Sequence, residues 1–239
     1  MKIIPVLTAL LSSSFLLATP TSIFWTNCTT EVANPNSFHF DVDNYFSVGN
    51  RAKNGSDFPP DIGLNYGLPS ANGFGGEFGV DYLGGASHPW YFNGKVAVEE
   101  GKLFAKAPSL SLGVFNVGTT HATNQEVFDA VVGYNLPQNV GRVYAGLFRG
   151  KRALGKHRSG WMAAYEVGFF PSKDEKGKEY SKLWFLTDYA SGKNAIGGGG
   201  FALLYYFVPS VSLETGPVWF NDTSLNGRWK WSVQLDIDI

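Results

Sequence analysis

The sequence predicts an all-β protein, an up-and-down antiparallel barrel of about 12 strands whose outer face meets lipid. Three observations carry that prediction. The final segment, Arg228-Trp-Lys-Trp-Ser-Val-Gln-Leu-Asp-Ile-Asp-Ile239, alternates without a break. Trp229, Trp231, Val233, Leu235, Ile237 and Ile239 share one face, while Lys230, Ser232, Gln234, Asp236 and Asp238 share the other. The same two-faced pattern recurs from about residue 37 onward. Composition agrees: of 239 residues, 15% are aromatic, only 16% are charged, and 29 are Gly, which suits strands and tight turns. Mean hydropathy is −0.08, too polar for a bundle of membrane helices, yet natural for strands that are half apolar. A soluble sheet must cover its apolar face with a second layer, whereas a closed barrel in a membrane leaves that task to lipid.

The chain begins with Met1-Lys2, a short basic region, followed by an apolar run from Ile3 to Ala18 and then Pro20, Thr21 and Ser22. This is the pattern of an export signal over residues 1–22. Residues 23–36 show no period and read as a linker. The lone Cys28 has no partner for an internal disulfide and lacks the small residues that precede a lipoprotein cysteine.

A barrel domain is expected over residues 37–239. Its strand-like runs fall at 38–48, 61–68, 75–84, 90–100, 109–118, 126–135, 142–150, 160–170, 182–190, 199–208, 211–220 and 228–239. Lengths near ten residues are what a tilted span requires. Five connections carry Pro near a strand end, at Leu68-Pro69, Ala107-Pro108, Leu136-Pro137, Phe170-Pro171 and Val208-Pro209. Six others, at 49–60, 84–89, 118–125, 151–159, 191–198 and 221–227, are polar and Gly-rich. The interleaving puts both termini and the Pro turns at one rim, expected to be periplasmic, and the polar loops at the other. Strand ten is apolar on both faces. Pro217 interrupts strand eleven and admits a bulge there.

The segment Asp188-Tyr-Ala-Ser-Gly-Lys-Asn-Ala-Ile-Gly-Gly-Gly-Gly200, with Gly216-Pro-Val-Trp-Phe-Asn-Asp222 and Trp229-Lys-Trp231, resembles a group of uncharacterised bacterial barrel proteins. With the export signal and the hairpin meander, nearly all of the mature chain looks like a Gram-negative outer-membrane β-barrel of small, porin-like type. The resemblance implies location in the outer membrane, contact with its lipids, lipopolysaccharide included, and delivery by the barrel-assembly machinery through the C-terminal strand. It supplies no activity. Such barrels usually finish on an aromatic residue, and this chain finishes on Ile239.

A charged side chain facing the bilayer midplane costs about 2–4 kcal/mol for Arg or Lys, so charges on the strands are assigned inward. The expected lumen-lining set is Asp41, Asp43, Asp61, Glu77, Asp81, Lys95, Glu99, Asp129, Arg149, Glu166, Asp188, Glu214, Lys230 and Asp236. Acids dominate it. One consequence is a water-filled lumen that concentrates cations. The other is a set of hydrogen-bonded carboxylates filling a narrow, nearly closed barrel. Tyr66, Tyr82, Trp90, Tyr134, Trp161, Phe169, Trp219, Trp229 and Trp231, near strand ends, fit interfacial girdles. Lys151, Arg152, Lys156 and Arg158 crowd one outer loop and suit phosphorylated lipid head groups.

Net charge is −1, and no basic stripe suggests nucleic acid. No cofactor motif appears: the Gly197–Gly200 run lacks a phosphate-loop pattern. No clustered His/Cys spacing suggests a metal. Of His39, His88, His121 and His157, only His39 lies on a strand, and Ser47 sits roughly 26 Å further along it at 3.3 Å per residue. A lipid-modifying enzyme is therefore the weakest of three expectations. A small passive channel or transporter for small hydrophilic solutes, cationic ones included, leads, and a structural or surface-interaction barrel with a plugged lumen follows.

Overall fold

The computed structural model describes residues 22–175, 177 and 179–239. The expected export signal thus lies, but for Ser22, outside the described residues. Among these, twelve strands form one closed antiparallel barrel. They are β1 (Phe38–Phe46), β2 (Asp61–Gly67), β3 (Phe74–Leu83), β4 (Trp90–Val98), β5 (Ser109–Gly118), β6 (Val127–Asn135), β7 (Arg142–Arg149), β8 (Ser159–Lys173), β9 (Glu179–Ala190), β10 (Gly198–Val208), β11 (Val211–Phe220) and β12 (Trp229–Asp238). Each pairs with its sequence neighbour, and β1 pairs with β12 from His39↔Asp238 to Phe46↔Trp231. That last ladder leaves no sheet edge, so every strand has two hydrogen-bonding neighbours.

The alternation places side chains as the sequence reading expected. Phe78, Phe92, Leu112, Phe128, Val132, Leu147, Leu203 and Phe207 are exposed on the outer wall, while their strand neighbours Glu77, Lys95, Ser111, Asp129, Val131, Phe148, Leu204 and Tyr206 are buried inside. So large an apolar surface has no place in water and reads as a transmembrane belt. Aromatic pairs mark its two borders. Phe38–Tyr66 (5.0 Å between ring centroids) lies toward the turn rim. Tyr82–Trp90 (4.9 Å) and Trp161–Tyr189 (5.2 Å) lie toward the loop rim.

Two local expectations change. The β8–β9 hairpin does not end at Phe170-Pro171: pairing resumes at Pro171↔Ser181 and continues to Lys173↔Glu179. The chain absorbs the proline by placing Phe170 in the left-handed region (φ 55°). No bulge forms in the β11–β12 ladder at Pro217, which keeps register with Trp231; the irregularity falls in β10–β11, between Tyr206 and Val208.

Leu203 sits at the centre of β10 on the outer wall, 51% exposed. Leu203→Arg should lower unfolding stability in lipid bilayers by about 2–4 kcal/mol, as midplane cations do. A water-facing position would register a change within about 0.5 kcal/mol. Urea titration in liposomes separates the two.

Candidate functional site

The interior is not empty. Residues 23–36, which lack strand periodicity and read as a linker, run through the lumen. The segment enters at the turn rim, where Asn36 N donates to Gly67 O (2.8 Å) and Pro35 bridges to Gly67. A Cβ on Gly67 would lie 1.9 Å from the Asn34 carbonyl oxygen, so only glycine admits the chain there.

An extended chain inside a barrel has no ladder of its own, and its buried backbone groups need partners. The inward polar residues supply them. Ala33 N donates to Glu77 Oε2 (2.6 Å), Lys95 Nζ to the Glu31 carbonyl (3.3 Å), and Ser111 Oγ to the Thr29 carbonyl (3.1 Å). Arg142 pairs with Glu31 and donates to Thr30 Oγ1 (3.1 Å) and Ser109 Oγ (2.6 Å). Deeper in, Asp188 Oδ2 accepts three successive backbone N–H groups, from Phe24 (3.2 Å), Trp25 (2.8 Å) and Thr26 (2.6 Å). Gln234 Nε2 donates to the Phe24 carbonyl (3.2 Å).

Apolar side chains complete the seat. Ile23, Phe24 and Cys28 share a buried cluster with Val127, Val131, Phe148, Met162, Leu186, Ala202, Leu204 and Val218. This is why strand ten is apolar on both faces: one meets lipid, the other meets the enclosed segment. A Cβ on Gly200 would come within 2.8 Å of the Phe24 ring, which gives the glycine run a packing role. Toward the loop rim, Trp25 packs edge-on to Tyr45 (5.4 Å) and Phe220 (5.0 Å) and donates Nε1–H to the Ile196 carbonyl (2.8 Å). Phe58 packs on Phe220 at 5.5 Å, and Lys230 Nζ lies 4.5 Å from the Phe58 ring centroid.

The segment fills one side only. Beside β1–β4 a cavity of about 360 Å³ remains, lined by Asp41, Asp43, Asp61, Asp81 and Asp236 and by Asn65, Asn93 and Gln234, with Phe24, Trp25, Phe115 and Met162 bounding its other side. Among the described residues no Lys, Arg or His lines it. Asn93 Nδ2 donates to Asp81 Oδ2, and Asn93 Oδ1 accepts from Asn116 N (3.0 Å). A Cβ on Gly63 would meet Asp41 Oδ2 at 2.2 Å, so this carboxylate lies over the bare backbone of the next strand.

Of the remaining acids expected inside, Asp129, Glu166 and Glu214 are buried inward, and Tyr144 Oη donates to Glu166 Oε1 (2.5 Å). Two assignments are corrected. Glu99 lies past the end of β4 in the turn, 42% exposed, and faces Lys102 at 3.7 Å, because the strand stops at Val98. Arg149 has the outward phase of β7, opposite exposed Phe128 and alternating with buried Phe148, and belongs to the loop rim. The sequence reading missed Arg142 and Glu31, since neither shows its role until the enclosed segment is in place.

His39 is inward, with Nδ1 2.9 Å from Asp238 Oδ1 and Nε2 3.7 Å from Asp236 Oδ1. Ser212 Oγ bonds Asp236 Oδ2 (3.1 Å) rather than the imidazole, so the pair that nucleophilic catalysis needs is not assembled there. Among the described residues no group of three His, Cys, Asp or Glu side chains is placed to hold a metal. At the loop rim Lys151 pairs with Glu126, whose carboxyl this bond holds below the usual glutamate range.

Cys28, the single cysteine, is fully buried against the barrel wall. In the folded, detergent-solubilised protein it should resist a water-soluble maleimide and react after heat denaturation. Asp188→Ala removes the acceptor of three N–H groups and should speed labelling of the folded form by at least about tenfold, the equivalent of one charge-assisted bond. Fast labelling of the unsubstituted folded protein would show that the segment lies elsewhere.

The sequence matches no protein-family model and no curated protein. Among solved structures, the chain is similar to the KdgM porin, with TM-score 0.49 and 13% identity over 84% of this chain and 98% of the porin. The KdgM porin in complex with disordered oligogalacturonate gives TM-score 0.49 and 12% identity over 84% of this chain and 98% of that one. The NanC porin gives TM-score 0.40 and 8% identity over 83% and 98%.

Proposed function

We propose that the protein is an outer-membrane barrel of Gram-negative type that passes small hydrophilic solutes, cations in preference to anions, with its N-terminal segment limiting the passage. The loop rim faces outward and the turn rim faces the periplasm. The observation that carries this reading is the cavity beside β1–β4: five aspartates line it, no Lys, Arg or His among the described residues shares that lining, and His39 stands behind it, 3.7 Å from Asp236. Walls of low dielectric focus such a field, raising the local concentration of cations and repelling anions. The carboxylates that grip the segment, Glu77 and Asp188, are different residues from these five. Seating the segment and attracting solute are thus separate tasks of the inner wall.

A second reading, a structural barrel with a permanently plugged lumen, draws support from the aromatic cap of Trp25, Tyr45, Phe58 and Phe220. The two readings part on what happens when the segment is loosened.

Planar-bilayer recording decides between them. The unaltered protein should give small, brief openings. Asp188→Ala combined with Glu77→Ala, or deletion of residues 22–33, should give longer and larger ones, with the reversal potential in a KCl gradient on the cation side. Replacing Asp41, Asp43, Asp61 and Asp81 with Asn should move the permeability ratio of cation to anion toward one. A folded deletion variant that stays silent at every voltage leaves only the structural reading, and an anion-selective one overturns the proposed preference.

A further inference from the structure

The loop joining β7 to β8 carries Arg149, Lys151, Arg152, Lys156, His157 and Arg158 around one open hollow. Lys151 is engaged by Glu126. Arg149, Arg152, Lys156 and Arg158 form no ion pair among the described residues, and all four are exposed. A solvated charged loop would ordinarily be loose. This one is pinned: Leu154 is fully buried in the lumen cluster, Ala195 N donates to the Leu154 carbonyl (2.9 Å), and Asn194 Nδ2 donates to the His157 carbonyl (2.7 Å). Gly150 N also donates to the Arg158 carbonyl (2.7 Å), which closes the loop base. Holding the cations on an ordered backbone lowers the entropy lost when an anion binds.

Position identifies the ligand. Arg149 points outward, opposite Phe128 on one side and Ser159 on the other. One outward step below it, about 7 Å along the strand, stand Leu147 and its partner Trp161. Leu147 is 67% exposed, and both belong to the apolar belt. The surface is therefore a cationic ledge directly above a lipid-facing wall. We infer that this ledge docks the head group of a phosphorylated, multiply acylated lipid, phosphates on Arg149, Arg152, Lys156 and Arg158, acyl chains along Leu147, Phe128 and Trp161. Guanidinium groups suit phosphate oxygens in paired contacts. The inference rests on the loop rim facing outward, and it does not depend on whether the lumen conducts.

The test is retention of a bisphosphorylated lipid A by the detergent-purified full chain, read by native mass spectrometry. The comparison ligand is the same lipid A after enzymatic dephosphorylation. The bisphosphorylated form should bind at least about tenfold more tightly, as loss of one or two charge-assisted contacts implies. Combined Arg149→Ala, Lys156→Ala and Arg158→Ala should remove that difference while the heat-modifiable gel shift and the bilayer conductance stay unchanged. A Lys102→Ala, Lys173→Ala control at the opposite rim should bind as the unaltered protein does. Equal binding of the two lipids, full binding by the triple variant, or complete displacement by millimolar inorganic phosphate would overturn the assignment, the last by marking a site for the free anion. A silent bilayer with lipid binding intact would count against the channel reading alone.

Discussion

Closure of the hydrogen-bonded ladder is the constraint from which the rest of the molecule follows. In hydrocarbon an unpaired backbone amide has no water to turn to, and each one costs several kcal/mol. Pairing of β1 with β12 removes the last free edge. Once the ladder is closed, pleating sends alternate side chains outward to lipid and inward to a space shielded from it. Every inward residue then has to be hydrated, paired or packed. The strand sequences satisfy these demands in two ways, and the division runs around the barrel.

On one side, β6 to β11 turn many apolar residues inward, such as Val131, Phe148, Met162, Leu186, Leu204 and Val218, and the enclosed Ile23 and Phe24 pack on them. Burying these surfaces gives the hydrophobic gain a soluble protein takes from its core. On the other side, β1 to β4 turn aspartates and asparagines inward, and the space beside them stays open. Carboxylates so close together need water or cations between them, since stripping their hydration without a partner is costly. The lumen thus holds a packed side, where Asp129, Glu166, Asp188 and Glu214 are buried among the apolar residues, and an open side lined by aspartates, with residues 23–36 between them. The backbone of that chain is satisfied by Glu77, Lys95, Ser111, Asp188 and Gln234, which project from five different strands.

Much of this was legible in the amino-acid order. A period of two is robust, because moving a strand by one residue would bring charges such as Asp129 or Glu166 into lipid. The count of twelve and the face assignments in mid-strand follow from it. Strand ten held a further clue in its two apolar faces. A wall that faces only water inside has no use for Ala202, Leu204 and Tyr206, and their presence implied an apolar neighbour in the lumen. Glu99 and Arg149 were misplaced for a local reason: both sit at strand ends, where the alternation stops constraining direction and water is within reach.

By itself, then, the sequence determined the barrel, the number and order of its strands and the face that most mid-strand side chains take. Alternation is a local property, and the penalty for violating it is large at every position. Only the tertiary structure decided where residues 23–36 go. That segment has no period to read, and its seat is assembled from Gly67, Glu77, Arg142, Asp188, Gly200 and Gln234, residues far apart in the chain. Contacts of such long separation leave no pattern in any short stretch of sequence; they exist once the ladder has closed and brought six strands to face the same enclosed chain.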